Sequence, residues 1–201
     1  MVEMEILLAT TNVHKIRELK EMLKALPRFL LISLHQFPDY VPPEEKGATF
    51  QENASQKAEH AARELGYWTL ADDSGLIVPS LNGEPGIRSR KYAGPDATDA
   101  DNRKKLLSAM EHLQTHERTA YYECCIALAS PEGLKKSTTG SCEGFIINEP
   151  RGRHGFGYDP LFIKNDYDKT FAEIDESTKN RISHRRKAFE RISTFLEHLK
   201  S

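Results

Sequence analysis

The chain has 201 residues, a formal net charge of -2 and 38% hydrophobic residues, which suits one domain with a sizeable core. The near-neutral charge excludes a protein devoted to coating nucleic acid, and the lack of a long apolar run excludes a membrane-spanning helix. The apolar run that follows the first residues is also too short for a signal peptide, so we expect a cytoplasmic protein. Three cysteines without a C-x-x-C pair predict buried free thiols in strands, and neither a disulfide framework nor a zinc site.

The chain opens with a β-α-β pattern. Residues 5–9 and 29–32 are short apolar runs that predict strands, and a helix with apolar residues at helical spacing lies between them and ends before Pro27. The polar loop 10–15 follows the first strand, in a place where backbone N–H groups and a helix N-terminus commonly hold phosphates. The loop is therefore a candidate phosphate site. The alternative is an ordinary loop whose threonine and asparagine side chains cap the helix.

A second helix is predicted after a proline-rich loop with an acidic end. The loop covers residues 35–48 and includes Glu45. The helix begins at Thr49, which forms a capping-box pattern with Glu52, and it ends at Gly66. A stripe of alanines along this helix predicts close packing on a sheet.

Two adjacent acids, Asp72 and Asp73, lie between short apolar runs in residues 68–79. These runs predict two buried strands that meet at a turn, with the acids at the turn. Neighbouring side chains on an extended backbone point to opposite sides, so only one of the two acids can face a given cleft. Such a carboxylate can bind a divalent cation, accept a proton from water or cap a turn.

The second half of the chain predicts another helix and a long hairpin. Thr98 and Asp101 fit a capping box at the start of the helix. The hairpin strands, residues 121–129 and 144–147, lie on either side of a turn at 131–133.

Two later segments are rich in unusual residues. The glycine-rich stretch 152–160 lets backbone approach a ligand closely, and its Phe156 and Tyr158 can stack on a flat ring. The basic segment 178–187 leads into a final helix for which Ser183 is a natural N-cap. Cations at a helix N-terminus oppose the macrodipole, so this segment indicates an anionic partner, with a plain solvated basic surface as the alternative.

Together these motifs resemble the inosine/xanthosine triphosphate pyrophosphatase family, and the match spans nearly the whole chain. The motifs that carry the resemblance occur in the family's order: Thr10-x-Asn12-x-x-Lys15, Glu44-Glu45 before Gly47, Ala71-Asp72-Asp73-Ser74-Gly75-Leu76, Pro85-Gly86-Ile87, Gly155-Phe156-Gly157-Tyr158-Asp159-Pro160, and Ile182-Ser183-His184-Arg185.

The resemblance implies an α/β fold over residues 1–201, a single domain with an elongated mixed sheet flanked by helices and an active cleft between two lobes. It further implies a homodimer that uses Mg²⁺ to hydrolyse ITP, dITP or XTP at the α-phosphorus, giving the monophosphate and pyrophosphate. No nucleic acid polymer and no membrane are expected as partners.

The family's site residues carry over by position. Asp73 and Lys15 are the expected catalytic residues, and Glu45 and Asp73 the expected ligands of Mg²⁺. The residues expected to bind substrate are Thr10, Thr11, Asn12, Val13, His14 and Lys15 around the phosphates, Ser74, and Phe156, Gly157, Tyr158, Asp159, Lys179, His184 and Arg185 around the base.

Three questions stay open at this point. Either Asp73 or the metal activates the attacking water. A module that senses purine nucleotides without cleaving them would need the same phosphate loop and base pocket, although two acidic clusters favour catalysis. A hydrolase with Ser74 as nucleophile is disfavoured, because the sequence around it lacks the G-x-S-x-G elbow.

Overall fold

A computed structural model describes residues 4–199. The strands are β1 (Met4–Leu8), β2 (Phe29–Ser33), β3 (Trp68–Ile77), β4 (Thr119–Ser130), β5 (Gly133–Ile146) and β6 (Phe162–Lys164). The α-helices are α1 (Val13–Leu23), α2 (Phe50–Leu65), α3 (Asp99–Ala109), α4 (Glu176–Ile182) and α5 (His184–Glu197).

The strands form one mixed sheet in the order β2-β1-β3-β4-β5-β6. Strand β1 is parallel to both β2 and β3, whereas β5 and β6 are antiparallel. The predicted β-α-β opening is therefore confirmed, since α1 connects two parallel neighbours. The hairpin of β4 and β5 is confirmed as well, and with it the α/β class.

Strand β3 corrects one sequence prediction. The acids of residues 68–79 do not lie at a turn between two strands, because β3 continues from Trp68 to Ile77 without interruption. Asp72 and Asp73 are both buried within it, at 1% and 8% exposure. Serine and glycine after two acids are ordinary turn residues, but here tertiary partners satisfy the acids and the strand persists.

Two compact units, each with its own hydrophobic core, make up the described chain. Unit 1 consists of residues 4–73, 124–140 and 185–199, and unit 2 of Ser74–Glu123 and Ser141–His184. In unit 1 the apolar faces of α1 and α5 join residues of β1, β3 and β4, and in unit 2 residues of α3 pack with β4, β5 and β6. The predicted buried thiols are confirmed, because Cys124, Cys125 and Cys142 are buried within strands and form no disulfide.

The helix ends follow most of the sequence signals. Thr98 and Asp101 form the complete capping box predicted for α3. At α2 only half of the predicted box exists: Thr49 accepts the N–H of Glu52, whereas the Glu52 carboxylate accepts the N–H of Ala48 instead of that of Thr49. The short helix α4 was not predicted. Ser183 lies at its C-terminal end and directly precedes α5, the position at which the sequence predicts an N-cap.

Within residues 4–199, no helix combines the length and apolar character that a membrane crossing requires. The prediction of a single two-lobed domain over residues 1–201 includes residues outside the described range and stays a prediction.

Candidate active site

The alternation of β3 separates the two adjacent acids, as the sequence predicts. Asp72 and Asp73 point to opposite faces of the strand and contact different cations. Both acids belong to unit 1, and their surroundings differ in charge and in exposure.

Asp72 belongs to a buried chain of alternating charges. Its Oδ2 atom lies 2.9 Å from the Lys15 ammonium and accepts hydrogen bonds from the Arg185 guanidinium at 3.0 and 3.2 Å. Arg185 also donates to the Glu18 carboxylate. Burial raises the pKa of Asp72, but Lys15 and Arg185 outweigh it and hold that pKa well below the usual range. Asp72 is therefore an anion at neutral pH and fixes the position of two cations.

Asp73 faces a second set of groups on helix α2. Its Oδ1 atom lies 3.1 Å from the Lys57 ammonium, and its Oδ2 atom accepts a hydrogen bond of 3.1 Å from the Asn53 amide. The same Lys57 ammonium lies 2.9 Å from Oε1 of Glu45. The two acids predicted to share a metal ion therefore do converge, and in this structure they converge on Lys57.

The pKa values of both partners in this contact are raised, for different reasons. Burial raises the pKa of Asp73, and Lys57 only partly offsets that effect. Burial lowers the pKa of Lys57, but Asp73 and Glu45 reverse the effect and raise it overall. Lys57 therefore remains an ammonium, whereas Asp73 accepts a proton more readily than an exposed aspartate does.

Gly47 lets the Glu45 loop approach helix α2 closely. The Gly47 N–H donates to the Asn53 side-chain oxygen at 2.8 Å. A Cβ at position 47 would lie 2.6 Å from that same oxygen, closer than van der Waals contact allows. Asn53 therefore orients both the loop that carries Glu45 and the Asp73 carboxylate.

The donor set fits a hard divalent cation such as Mg²⁺. Glu45 and Asp73 each place a carboxylate oxygen against the Lys57 ammonium, so the two carboxylates lie close together. Carboxylate oxygens are preferred Mg²⁺ ligands. Among residues 4–199 there is no group of three or more His, Cys, Asp or Glu side chains that could enclose a metal. Such a two-carboxylate arrangement matches a metal that takes its remaining ligands from water and substrate phosphates.

The loop 10–15 is held by its own side chains. The Asn12 side chain accepts the N–H groups of His14 and Lys15 at 3.0 and 3.3 Å and thus caps α1, as the alternative interpretation expects. Thr10 accepts the N–H of Asn12 at 3.2 Å. Thr11 and Val13 are exposed beside them. The loop brings Lys15, the third residue of α1, to Asp72.

A separate buried ion pair, between Lys179 and Asp159, lies in unit 2. The Lys179 ammonium lies 2.6 Å from Oδ2 of Asp159, and it also lies 4.6 Å from the centre of the Phe156 ring, in a cation–π contact. The Phe156 N–H donates to the same carboxylate oxygen at 2.9 Å. Three residues predicted to contact the base are therefore brought together.

The other aromatic residues of unit 2 support this cluster. Tyr122 donates to Oδ1 of Asp159 at 3.3 Å and stacks on the His184 ring at a centroid distance of 4.7 Å. Tyr158 is buried in the core and donates to the Ser89 carbonyl, so the half-buried Phe156 has the more accessible ring.

The ion pairs of Arg185 lie in unit 1, whereas the sequence analysis assigned this residue to the group around the base. Its fully buried guanidinium belongs to unit 1, with Glu18 and Asp72, whereas Lys179 and His184 belong to unit 2. Ser74, the first residue of unit 2, is partly buried.

Sequence reasoning missed Asn53, Lys57 and Glu18. A signal for the first two exists, because they are four residues apart on the alanine-rich α2 and therefore share one face. Glu18 is three residues after Lys15 in α1, but its partner Arg185 is far away in sequence, so no local pattern indicates it.

Comparisons with known proteins identify relatives over nearly the whole chain. The Ham1 family model matches residues 6–195. The dITP/XTP pyrophosphatase of Protochlamydia amoebophila (strain UWE25) is 68% identical over 98% of this chain and 100% of its own. The dITP/XTP pyrophosphatase of Chlamydia abortus (strain DSM 27085 / S26/3) is 51% identical over 98% and 96%. A solved HAM1 protein structure from Coxiella burnetii superposes with a TM-score of 0.88 at 43% identity, over 98% of this chain and 100% of that one. These matches confirm the resemblance drawn from the six motifs, and the chain belongs to the Ham1 family.

Proposed function

We propose that this chain hydrolyses deaminated purine nucleoside triphosphates, ITP, dITP and XTP, to the monophosphate and pyrophosphate. The observation that carries the proposal is the convergence of the Glu45 and Asp73 carboxylates on the Lys57 ammonium in unit 1. The chain that carries this arrangement is 68% identical to a dITP/XTP pyrophosphatase. The comparisons give no support to a nucleotide sensor that does not cleave its ligand.

The phosphate end of the nucleotide is assigned to unit 1. Lys15 pairs with phosphate oxygens from a position that Asp72 fixes, and residues 10–14 surround the phosphates. Asp73, with its raised pKa, accepts a proton from the water that attacks the α-phosphorus. Lys57 compensates the charge of the two acids, which would otherwise repel a triphosphate.

Mg²⁺ would be held by Glu45 and Asp73. When bound, the metal supplies charge stabilisation for the pyrophosphate leaving group. The homodimer implied by the resemblance and the cytoplasmic location expected from the sequence stay predictions.

The base is assigned to unit 2. Phe156 offers a ring for stacking, and Lys179 and His184 supply donors to the 6-keto oxygen of hypoxanthine or xanthine. Adenine presents an amino group there, so a donor would face a donor, a mismatch that can discriminate by about 10⁴ to 10⁵. Gly157, Tyr158 and Asp159 shape the same pocket, and Ser74 contacts substrate from the start of unit 2.

A nucleotide panel tests the proposal. With Mg²⁺ and ITP, the protein should release IMP and pyrophosphate, both identified by chromatography, and ATP should react far more slowly. Release of inorganic phosphate and IDP would overturn the assignment to the α-phosphorus. Calorimetric binding of ITP without any product would favour the sensor.

A further inference from the structure

Helix α3 holds both backbone polar groups of Gly157, the residue that follows Phe156. The Gly157 N–H donates to Oδ2 of Asp99 at 2.6 Å, and the Gly157 carbonyl accepts a hydrogen bond from Nη1 of Arg103 at 2.7 Å. Asp99 and Arg103 are four residues apart, so they lie on one face of α3. Both hydrogen bonds have a charged partner and are therefore stronger than bonds between neutral groups.

Helix α3 is itself fixed to the rest of unit 2. The buried Asn102 side chain accepts the Ala93 N–H at 2.8 Å and donates to the Arg90 carbonyl at 2.9 Å. Leu106 and Met110 are fully buried in the core of unit 2. The face that carries Asp99 and Arg103 therefore has a defined position.

The segment before Gly157 is fixed by Asp159. Gly155 has φ +73°, and a Cβ there would lie 2.1 Å from Oδ2 of Asp159, so the turn allows only glycine at that position. The Phe156 N–H donates to that oxygen, and the Phe156 carbonyl accepts the Asp159 N–H at 3.2 Å. Asp159 therefore fixes the backbone N–H and C=O of Phe156, and α3 fixes the backbone of the next residue, Gly157.

We infer that Asp99 and Arg103 are positioning residues for base recognition: by holding the backbone N–H and C=O of Gly157 they set the plane of the Phe156 ring on which the purine stacks. This inference rests on the proposed function and extends it, because neither residue belongs to the site that the motifs define. The two side chains act on the base end of the substrate and leave the chemistry at the phosphate end unchanged.

Arg103→Leu tests this inference, with Lys104→Leu as the matched control on an exposed position of the same helix. The KM for ITP should rise about three- to tenfold in Arg103→Leu with kcat nearly unchanged, since only binding common to ground and transition state is lost. The inhibition constant of IMP should rise in parallel, and that of pyrophosphate should stay the same. Arg103→Lys should restore much of the wild-type KM.

Asp99→Asn provides a second, milder variant that keeps an acceptor oxygen but loses the charge, with the exposed Asp96→Asn as its control. The same split between IMP and pyrophosphate inhibition is expected. A fall in kcat with both inhibition constants changed, or a KM equal to that of Lys104→Leu, would overturn the inference. Failure of the proposed function is distinct, because the wild-type protein would then release no IMP and pyrophosphate from ITP.

Discussion

Asp72 and Asp73 are consecutive residues of one strand, yet their carboxylates take part in separate ion pairs. Asp72 pairs with Lys15 and Arg185, and Asp73 pairs with Lys57. The pKa of Asp72 is lowered and that of Asp73 is raised. Two environments that push the pKa values of adjacent acids in opposite directions are typical of different roles, which supports the proposal that Asp73 is the proton acceptor.

Replacing Asp73 by Asn should reduce kcat for ITP by at least about 10²-fold, because a general base contributes roughly that much or more. Folding should be little affected, since the raised pKa means that the protein does not stabilise the ionised form of Asp73. Pyrophosphate release and urea unfolding measure the two effects. An Asp73→Asn protein with near-normal turnover would remove Asp73 from the mechanism.

The Asp72→Asn substitution should destabilise the protein by about 3–5 kcal/mol, because it leaves the buried Arg185 and Lys15 with one acid fewer. Urea unfolding at neutral pH measures the loss, and Asp73→Asn is the matched control at the next position. Because the folded-state pKa is lowered, the contribution of Asp72 is present above the unfolded pKa of about 3.9. The difference between wild type and Asp72→Asn should therefore shrink as the pH falls through the lower folded-state pKa.

The pH dependence of kcat/KM should report on Lys57. The base must be ionised, so activity should fall on the acid side at a pH above the ordinary aspartate value of about 4. Lys57 lowers the pKa of Asp73 by its charge, and Lys57→Met should therefore move this acid limb to higher pH. Lys46→Met is the control, because Lys46 is exposed and pairs with Glu44. A limb that stays in place or moves to lower pH in Lys57→Met would contradict the assignment of Asp73.

Metal binding should depend on nucleotide and on Glu45. With Lys57 between the two acids, Mg²⁺ alone should raise the melting temperature little, whereas Mg²⁺ with a non-hydrolysable α,β-imido analogue of ITP should raise it clearly. A ligand at one hundred times its Kd stabilises by about 2.7 kcal/mol, which thermal melting resolves. Glu45→Gln should lose the part of this increase in melting temperature that requires Mg²⁺. The neighbouring Glu44→Gln should keep it. Equal stabilisation in both variants would exclude Glu45 as a ligand.

The outline of the fold follows from the sequence because its signals are local. The helical spacing that predicts α1, the Thr98 and Asp101 box and the turn after Ser130 each involve residues a few positions apart. The turn predicted at Asp72 and Asp73 was wrong because the preference of Asp-Ser-Gly for turns yielded to ion pairs with distant residues. Those partners, Lys15 on α1 and Lys57 on α2, are set by the tertiary structure.

The basic segment 178–187 shows a second limit. Five cations in ten residues are typical of a solvated surface, and Arg181 and Arg186 are indeed mostly exposed or half-exposed. Arg185 is fully buried because it meets Glu18, 167 residues away in sequence. Lys179 is buried by a different acid, Asp159. These partners, which are distant in sequence, decide which cations of the segment are buried.

The burial of all three thiols gives the protein an internal reporter of its own unfolding. Burial raises the pKa of Cys124 far above that of a free thiol, so the reactive thiolate is scarce in the native state. An alkylating or disulfide reagent should therefore label the chain only when a unit opens. Cys124 lies beside Asp72 in unit 1, whereas Cys142 belongs to the core of unit 2. The position of the label would therefore show which unit opened first.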